Sequence, residues 1–223
     1  MNKLAIVGAE PKTRDKAPYD DPSYDIWFIS DWANSDWAKR FTASIEIHLP
    51  KIYENHPRDP KYYEYLKNTT TPVYMQNVDK NIPASVEFPL EDVKKLVDNM
   101  KILGRGVSVW NSSVSYLLSL AIVKGYEEID VYGVEMSNSS EYHSQQPIFA
   151  FWVGYAAGKG IKLNINCTLG LFDQPYYGYQ DIIFDDKLHS YINGMKEQQA
   201  DLLKQSNMLE GAMVFARQLL ESE

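Results

Sequence analysis

The stretch VSYLLSLAIVKGYEEIDVYGVEM, residues 114–136, decides the fold. Its first half, Val114 to Val123, is an apolar helical pattern that stops at Lys124-Gly125, where glycine lets the chain turn out of the helix. Its second half, Glu128-Ile129-Asp130-Val131-Tyr132-Gly133, is short, β-branched and aromatic, and closed by another glycine, which predicts a strand. A helix handed by a tight turn to a buried strand is the second part of a β-α-β unit.

The same alternation continues on both sides. Upstream, strand patterns occupy Lys3–Val7, ending at Gly8, then Asp25–Ser30, Ala43–His48 and Pro72–Met75; downstream, one occupies Lys162–Asn166. Helical spacing lies between them at Pro60–Leu66, at Leu90–Ile102 through Leu90, Val93, Leu96, Val97 and Met100, and at Pro147–Gly158. Strands alternating with helices predict an α/β, Rossmann-like domain over roughly 1–180, a mainly parallel sheet of about six strands flanked by helices. The segment 181–223 departs from this pattern. From Asp185 on it has no proline and no strand signal, and Leu188, Met195, Leu202, Leu209 and Ala216 recur every seven residues, with Tyr191, Ala212 and Leu219 in partner positions. A C-terminal helical extension is expected, as one long helix or two broken near Ser206-Asn207, and a homo-oligomer built through it.

Composition removes whole classes. The 223 residues carry 22 basic and 30 acidic side chains, a net charge of −8, which disfavours general binding to a phosphate backbone. The single cysteine, Cys167, forms no internal disulfide and builds no cysteine-rich zinc module, so no metal is expected. No apolar run approaches the roughly 18 residues that span a bilayer. The first apolar run is too short for a secretory signal, so a cytoplasmic protein without a membrane partner is expected.

Three clusters can carry chemistry. Asn111-Ser112-Ser113 opens the helix of the quoted stretch, where free backbone N–H groups and the helix dipole suit a phosphate, although the same residues serve equally as an N-cap. Gly8-Ala9-Glu10 ends the first strand with one glycine and neither of the other two in the dinucleotide fingerprint, which argues against NAD and FAD; no P-loop is present either. Gly133-Val134-Glu135-Met136 ends the fifth strand and leads into Glu141-Tyr142-His143, where imidazole beside a carboxylate suits proton transfer. His48, two residues after Glu46, is a second candidate base. The aromatic run from Leu169 to Tyr179 suits either a lid over a nucleoside or glue for the C-terminal helix.

With those residues in view, Asn111–Glu141 resembles the core of bacterial sialyltransferases that use CMP-sialic acid, and is similar to the MptE-like pterin pyrophosphokinase superfamily. The whole chain also resembles Rossmann-like proteins of tailed bacteriophages. The likeness implies that Gly8, Ala9 and Glu10 lie beside a nucleotide, Asn111, Ser112 and Ser113 near its phosphate, and Gly133, Glu135 and Met136 near its base or ribose. The acid here is Glu135 where the sialyltransferase strand ends in Gly-x-Asp, and that family's catalytic histidine lies further downstream than His143. The expected function is a nucleotide-sugar-dependent glycosyltransferase with an inverting, metal-independent mechanism. Its base is His143 or His48, with Glu141 and Tyr142 beside it, and its ligand is a nucleotide or nucleotide sugar rather than a tightly held cofactor. Two alternatives stand beside it: a non-catalytic protein that sequesters a nucleotide-derived signal, and a diphosphate transferase.

Overall fold

The computed structural model describes residues 2–136, 140–167, 172, 176 and 184–221. At its centre is β1 (Lys3–Val7), whose residues Leu4 to Val7 are completely buried. A strand apolar on every residue needs cover on both faces, and parallel neighbours joined by helices provide it. After a single-turn helix α1 (Pro11–Arg14), β2 (Tyr24–Ile29) and β3 (Ala43–Glu46) follow. Helices α2 (Pro50–Tyr53) and α3 (Tyr62–Asn68) lead to β4 (Val73–Met75) and β5 (Ser85–Glu87). Helix α4 (Leu90–Lys94) precedes a two-residue hairpin, β6 (Lys101–Ile102) and β7 (Arg105–Gly106). Then come α5 (Ser113–Val123), β8 (Glu128–Tyr132), α6 (Ser140–Gly158), β9 (Lys162–Asn166) and α7 (Phe184–Glu221).

Seven strands form one parallel sheet in the order β5-β4-β3-β2-β1-β8-β9. This is the Rossmann-like α/β architecture that the alternation predicts. One face packs on α4, α5 and α6 through Leu4, Ile6, Ile129 and Val131 against Val93, Leu117, Leu118, Ala121, Phe149 and Trp152. The other buries Ala5, Val7, Ile26 and Phe28 under Ala17, Tyr19 and Ala33, while Tyr62 and Leu66 of α3 cover Val73 and Met75.

The structure corrects several boundaries. The sheet has a seventh strand, β5, because Ser85–Glu87 is only three residues between Pro83 and Pro89 and offers no period to detect. The helix expected over Leu90–Ile102 stops at Lys94. Val93 and Val97 are buried as the spacing required, but the chain then reverses through Leu103 (φ 51°) and Gly104 (φ 77°), the left-handed pair of a tight hairpin. Helix α6 begins at Ser140, seven residues before the expected start, with Pro147 inside it. Two contacts tie the added turns to the rest of the domain: their own Gln146 donates through Nε2 to the Met136 carbonyl at 2.8 Å, and Asn111 Nδ2 donates to the Ser144 carbonyl at 2.8 Å.

Residues 1–172 and 173–223 form two separate compact units. In the second, α7 runs unbroken for 38 residues, through Ser206-Asn207 where a break was one expectation. At 1.5 Å per residue it is about 57 Å long. No helix among the described residues is long and apolar enough to cross a membrane.

Candidate functional site

Strands β1 and β8 lie side by side, but the chain leaves β1 toward β2 on one flank and β8 toward β9 on the other. Loops diverge at such a switch point and open a crevice at the carboxyl ends of the strands. Here it is a cleft of about 820 Å³, lined by the segments 8–11, 110–114 and 133–136 together with Ser30, Trp32, His48 and Arg58.

Two glycines make the floor of the crevice. Gly8 N donates to the Tyr132 carbonyl and Glu10 N to the Gly133 carbonyl, each at 2.9 Å, so the two loops cross in backbone contact. A Cβ on Gly133, whose φ is +64°, would lie 2.5 Å from the Gly8 carbonyl oxygen and 2.9 Å from Arg14 Cβ. A Cβ on Gly8 would collide with the Gly133 carbonyl in turn. Thr13 Oγ1 accepts from Gly133 N at 2.7 Å and ties α1 to the same point.

Helix α5 points its amino end into the cleft, where the first N–H groups of a helix have no carbonyl one turn earlier. Ser112 is tied into a capping arrangement: its N–H donates to Ser115 Oγ at 3.2 Å, and that hydroxyl donates back to the Ser112 carbonyl at 2.6 Å. The Asn111 amide is engaged with Ser144 of α6. Ser113 is the first residue of the helix and lines the cleft. Glu10 also lines it, and its carboxylate caps α1 by accepting from Lys12 N at 3.2 Å. Ala9 holds Arg14 Nη1 on its carbonyl at 2.7 Å. Met136 is buried in the core at the cleft wall, and Glu135 lies beside it.

The opposite wall carries an imidazole–carboxylate pair. His48 is half-exposed in the cleft, and its Nδ1 lies 2.5 Å from Oε1 of Glu46, a completely buried carboxylate. The same oxygen accepts from His48 N at 3.0 Å, so Glu46 fixes both the backbone and the ring. The hydrogen bond to Glu46 raises the His48 pKa above the ordinary imidazole value, against an opposing effect of burial. A carboxylate only accepts, so Nδ1 carries a proton and Nε2 of the neutral ring is left with its lone pair.

Beside His48 stands a cation. Arg58 Nη2 donates to the buried Asp31 Oδ1 at 2.8 Å, and its guanidinium lies 4.9 Å from the centre of the Trp32 ring. Ser30, where β2 ends, is held in the left-handed region at φ 46°, with its Oγ buried and without a hydrogen-bond partner. Strained backbone of this kind concentrates at functional sites. Burial and the Glu135 carboxylate push the Cys167 thiol up to about 12, which disfavours the thiolate.

The structure thus brings Gly8, Ala9, Glu10, Asn111, Ser112, Ser113, Gly133, Glu135, Met136 and His48 to one cleft. His143, Glu141 and Tyr142 fall in the first turn of α6, and their side chains lie outside the described residues. Of the aromatic run 169–179, only Phe172 and Tyr176 are described. Sequence reasoning missed Ser30, Asp31 and Arg58, the last two joined across distant segments. It did set Glu46 beside His48, two residues apart, which strand alternation places on one face.

No family model and no curated protein matches the chain. Among solved structures it is similar to the sialyltransferase CstII from Campylobacter jejuni in complex with the substrate analogue cytidine-5'-monophosphate, at 16% identity and a TM-score of 0.47 over 86% of this chain and 99% of that one. CstII in complex with a trisaccharide acceptor and CMP is similar at 16% identity and a TM-score of 0.46, over 81% and 89%. Thiamine pyrophosphokinase from Bacillus subtilis is similar at 12% identity and a TM-score of 0.41, over 73% of this chain and 59% of that one.

Proposed function

We propose that the cleft binds a nucleotide sugar and transfers its glycosyl group to a hydroxyl, with inversion. The observation that carries this reading is the His48–Glu46 pair set in the same cleft as the amino end of α5. Nε2 of His48 removes the acceptor's hydroxyl proton as that oxygen bonds to the anomeric carbon. The bond from the anomeric carbon to the phosphate oxygen breaks, and its electrons leave with the nucleotide. Free N–H groups at the start of α5 and the Arg58 guanidinium stabilise the charge that develops there, an effect of dipoles and charge already fixed in place. His143, with Glu141, keeps its place in this proposal as the alternative base, and Tyr142 as a nucleotide-binding group. The test is a thermal-shift panel of CMP, UMP and CMP- and UDP-sugars, followed by product analysis with those that bind, since a ligand of the native state raises Tm. Binding without any product would make the protein a nucleotide-binding module instead.

A charge placed at the helix start gives a sharper result. Ser113→Asp should support α5, because an acidic side chain in the first turn complements the dipole. The same carboxylate should repel the phosphate and weaken nucleotide binding at least about tenfold, roughly 1.4 kcal/mol. Calorimetric titration of a variant that is folded yet binds nucleotide as well as the parent would place the phosphate elsewhere.

Self-association through α7 belongs to the same proposal, with a second copy of the chain as the partner. Met195, Leu202 and Leu209 stand seven residues apart on this helix, each more than half exposed. That period is the one by which helices wrap around each other. Light scattering should find an oligomer for the full chain and a monomer for a chain ending near Asp186. A monomeric full chain at micromolar concentration would dispose of it.

A further inference from the structure

Beyond the nucleotide cleft, the carboxyl edge of the sheet opens into a second cavity of about 800 Å³, past the ends of β4 and β5. The two share Ile47 and Tyr116 as walls, and Ile47 is the residue immediately before His48. The rest of its polar lining is Gln76, Asn77 and Glu87, with Phe88 and Pro89 beside them and the start of α4 at the rim.

The chemistry of the two spaces differs. The first holds Arg58 and a helix amino end, both suited to an anion, with Glu10 and Glu135 also in its lining. Among the described residues, the second has no Lys, Arg or His in its wall, and three carboxylates, Glu87, Glu91 and Asp92. Lys94 and Lys95 bond Glu91 and Asp92 at 2.8 Å on the exposed side of α4, so Glu87 is the carboxylate left to meet a ligand. A phosphate or carboxylate would be repelled here. Asn77 and Gln76 supply amides; Gln76 Nε2 donates to the Ile47 carbonyl at 2.6 Å, which holds that amide in the wall. Tyr116 meets the buried Phe88 edge-on, with ring centres 5.1 Å apart, which fixes the Tyr116 ring between the two cavities. An aromatic ring, amides that donate and accept, and an unpaired carboxylate that accepts together match a ligand with an apolar C–H face and a rim of hydroxyls.

We infer that this cavity holds the second substrate, a neutral polyhydroxylated compound of the saccharide class, and presents one of its hydroxyls past Ile47 to His48. The inference rests on the glycosyl-transfer reading for its role, but the binding itself is tested separately. Saturation-transfer NMR on the full chain, with methyl glucoside, methyl galactoside, methyl N-acetylglucosaminide and lactose as probes, should show contact with at least one, and CMP and UMP should not displace it. Glu87 and Asn77 are both exposed, so Glu87→Lys and Asn77→Leu leave the core untouched. Each should weaken saccharide binding about tenfold while nucleotide affinity stays at the parent value. Absence of contact with every probe at tens of millimolar, or contact that neither variant weakens, would overturn the assignment. Saccharide binding that responds to both variants in a protein that binds no nucleotide would uphold this cavity and overturn the donor cleft alone.

Discussion

His48→Asn should lower kcat by at least about a hundredfold and leave nucleotide affinity within about twofold, the pattern of a lost proton acceptor rather than a lost binding contact. The pH profile carries the finer test. Catalysis needs the neutral ring, so the rate should climb as pH rises through the His48 pKa, which the Glu46 hydrogen bond holds above the ordinary imidazole value. Stability runs the other way. A group whose pKa is raised on folding contributes fully below its unfolded pKa, and that contribution fades as pH rises through the folded one. Glu46→Gln should therefore shift the rate inflection toward lower pH and also reduce kcat, because Nδ1 loses its charged acceptor. Full activity in His48→Asn, or an unmoved inflection in Glu46→Gln, would remove the pair from catalysis and turn attention to His143.

Gly133→Ala should be the most damaging single methyl in the parallel sheet domain. It combines a left-handed backbone with a Cβ placed 2.5 Å from the Gly8 carbonyl oxygen, so both strain and overlap must be relieved at the crossing of two loops. Strain and overpacking of this kind total about 3 kcal/mol or more. For a chain of this size that lowers Tm by roughly 6–12 °C. Gly125→Ala is the matched control: its φ is +75°, but nothing lies within 4 Å of the new Cβ, so only the backbone term remains, about 1 kcal/mol. Thermal unfolding that ranked the two variants equally would show that the close approach of Gly8 and Gly133 does not hold in solution.

Much of this architecture is legible from residue order. Lys3–Val7, Lys162–Asn166 and the helix ending at Val123 sit where their patterns place them, since each is long enough for periodicity and glycine to act together. The failures share a cause. Where tertiary contacts set the conformation, local pattern is silent: β5 is held by its pairing with β4, and the first turns of α6 by the Asn111 side chain and by the Met136 carbonyl that Gln146 grips. The site divides in the same way. Backbone features announce themselves, because only glycine fits at 8 and 133. Side-chain partnerships between distant segments, such as Asp31 with Arg58, have no signature in a single chain. Glu46 is the mixed case: its place two residues before His48 is legible, whereas a carboxylate alternating with isoleucines gives no sign of being completely buried.

The pairing of β1 with β8 sets Lys3 opposite Glu128 and has a consequence for biosynthesis. At about 5–20 residues per second, a ribosome takes roughly 6–25 s to cover the distance between them. Throughout that interval β1, the most apolar strand of the sheet, shows one hydrogen-bonding edge with no native partner, and such an edge templates association with other chains. The Gly8 and Gly133 rims of the cleft come from opposite ends of the same span, so an emerging polypeptide lacks the assembled cleft until β8 docks. Added nucleotide should accordingly rescue a destabilised variant after release from the ribosome, and chaperones that shield strand edges should govern its yield before then.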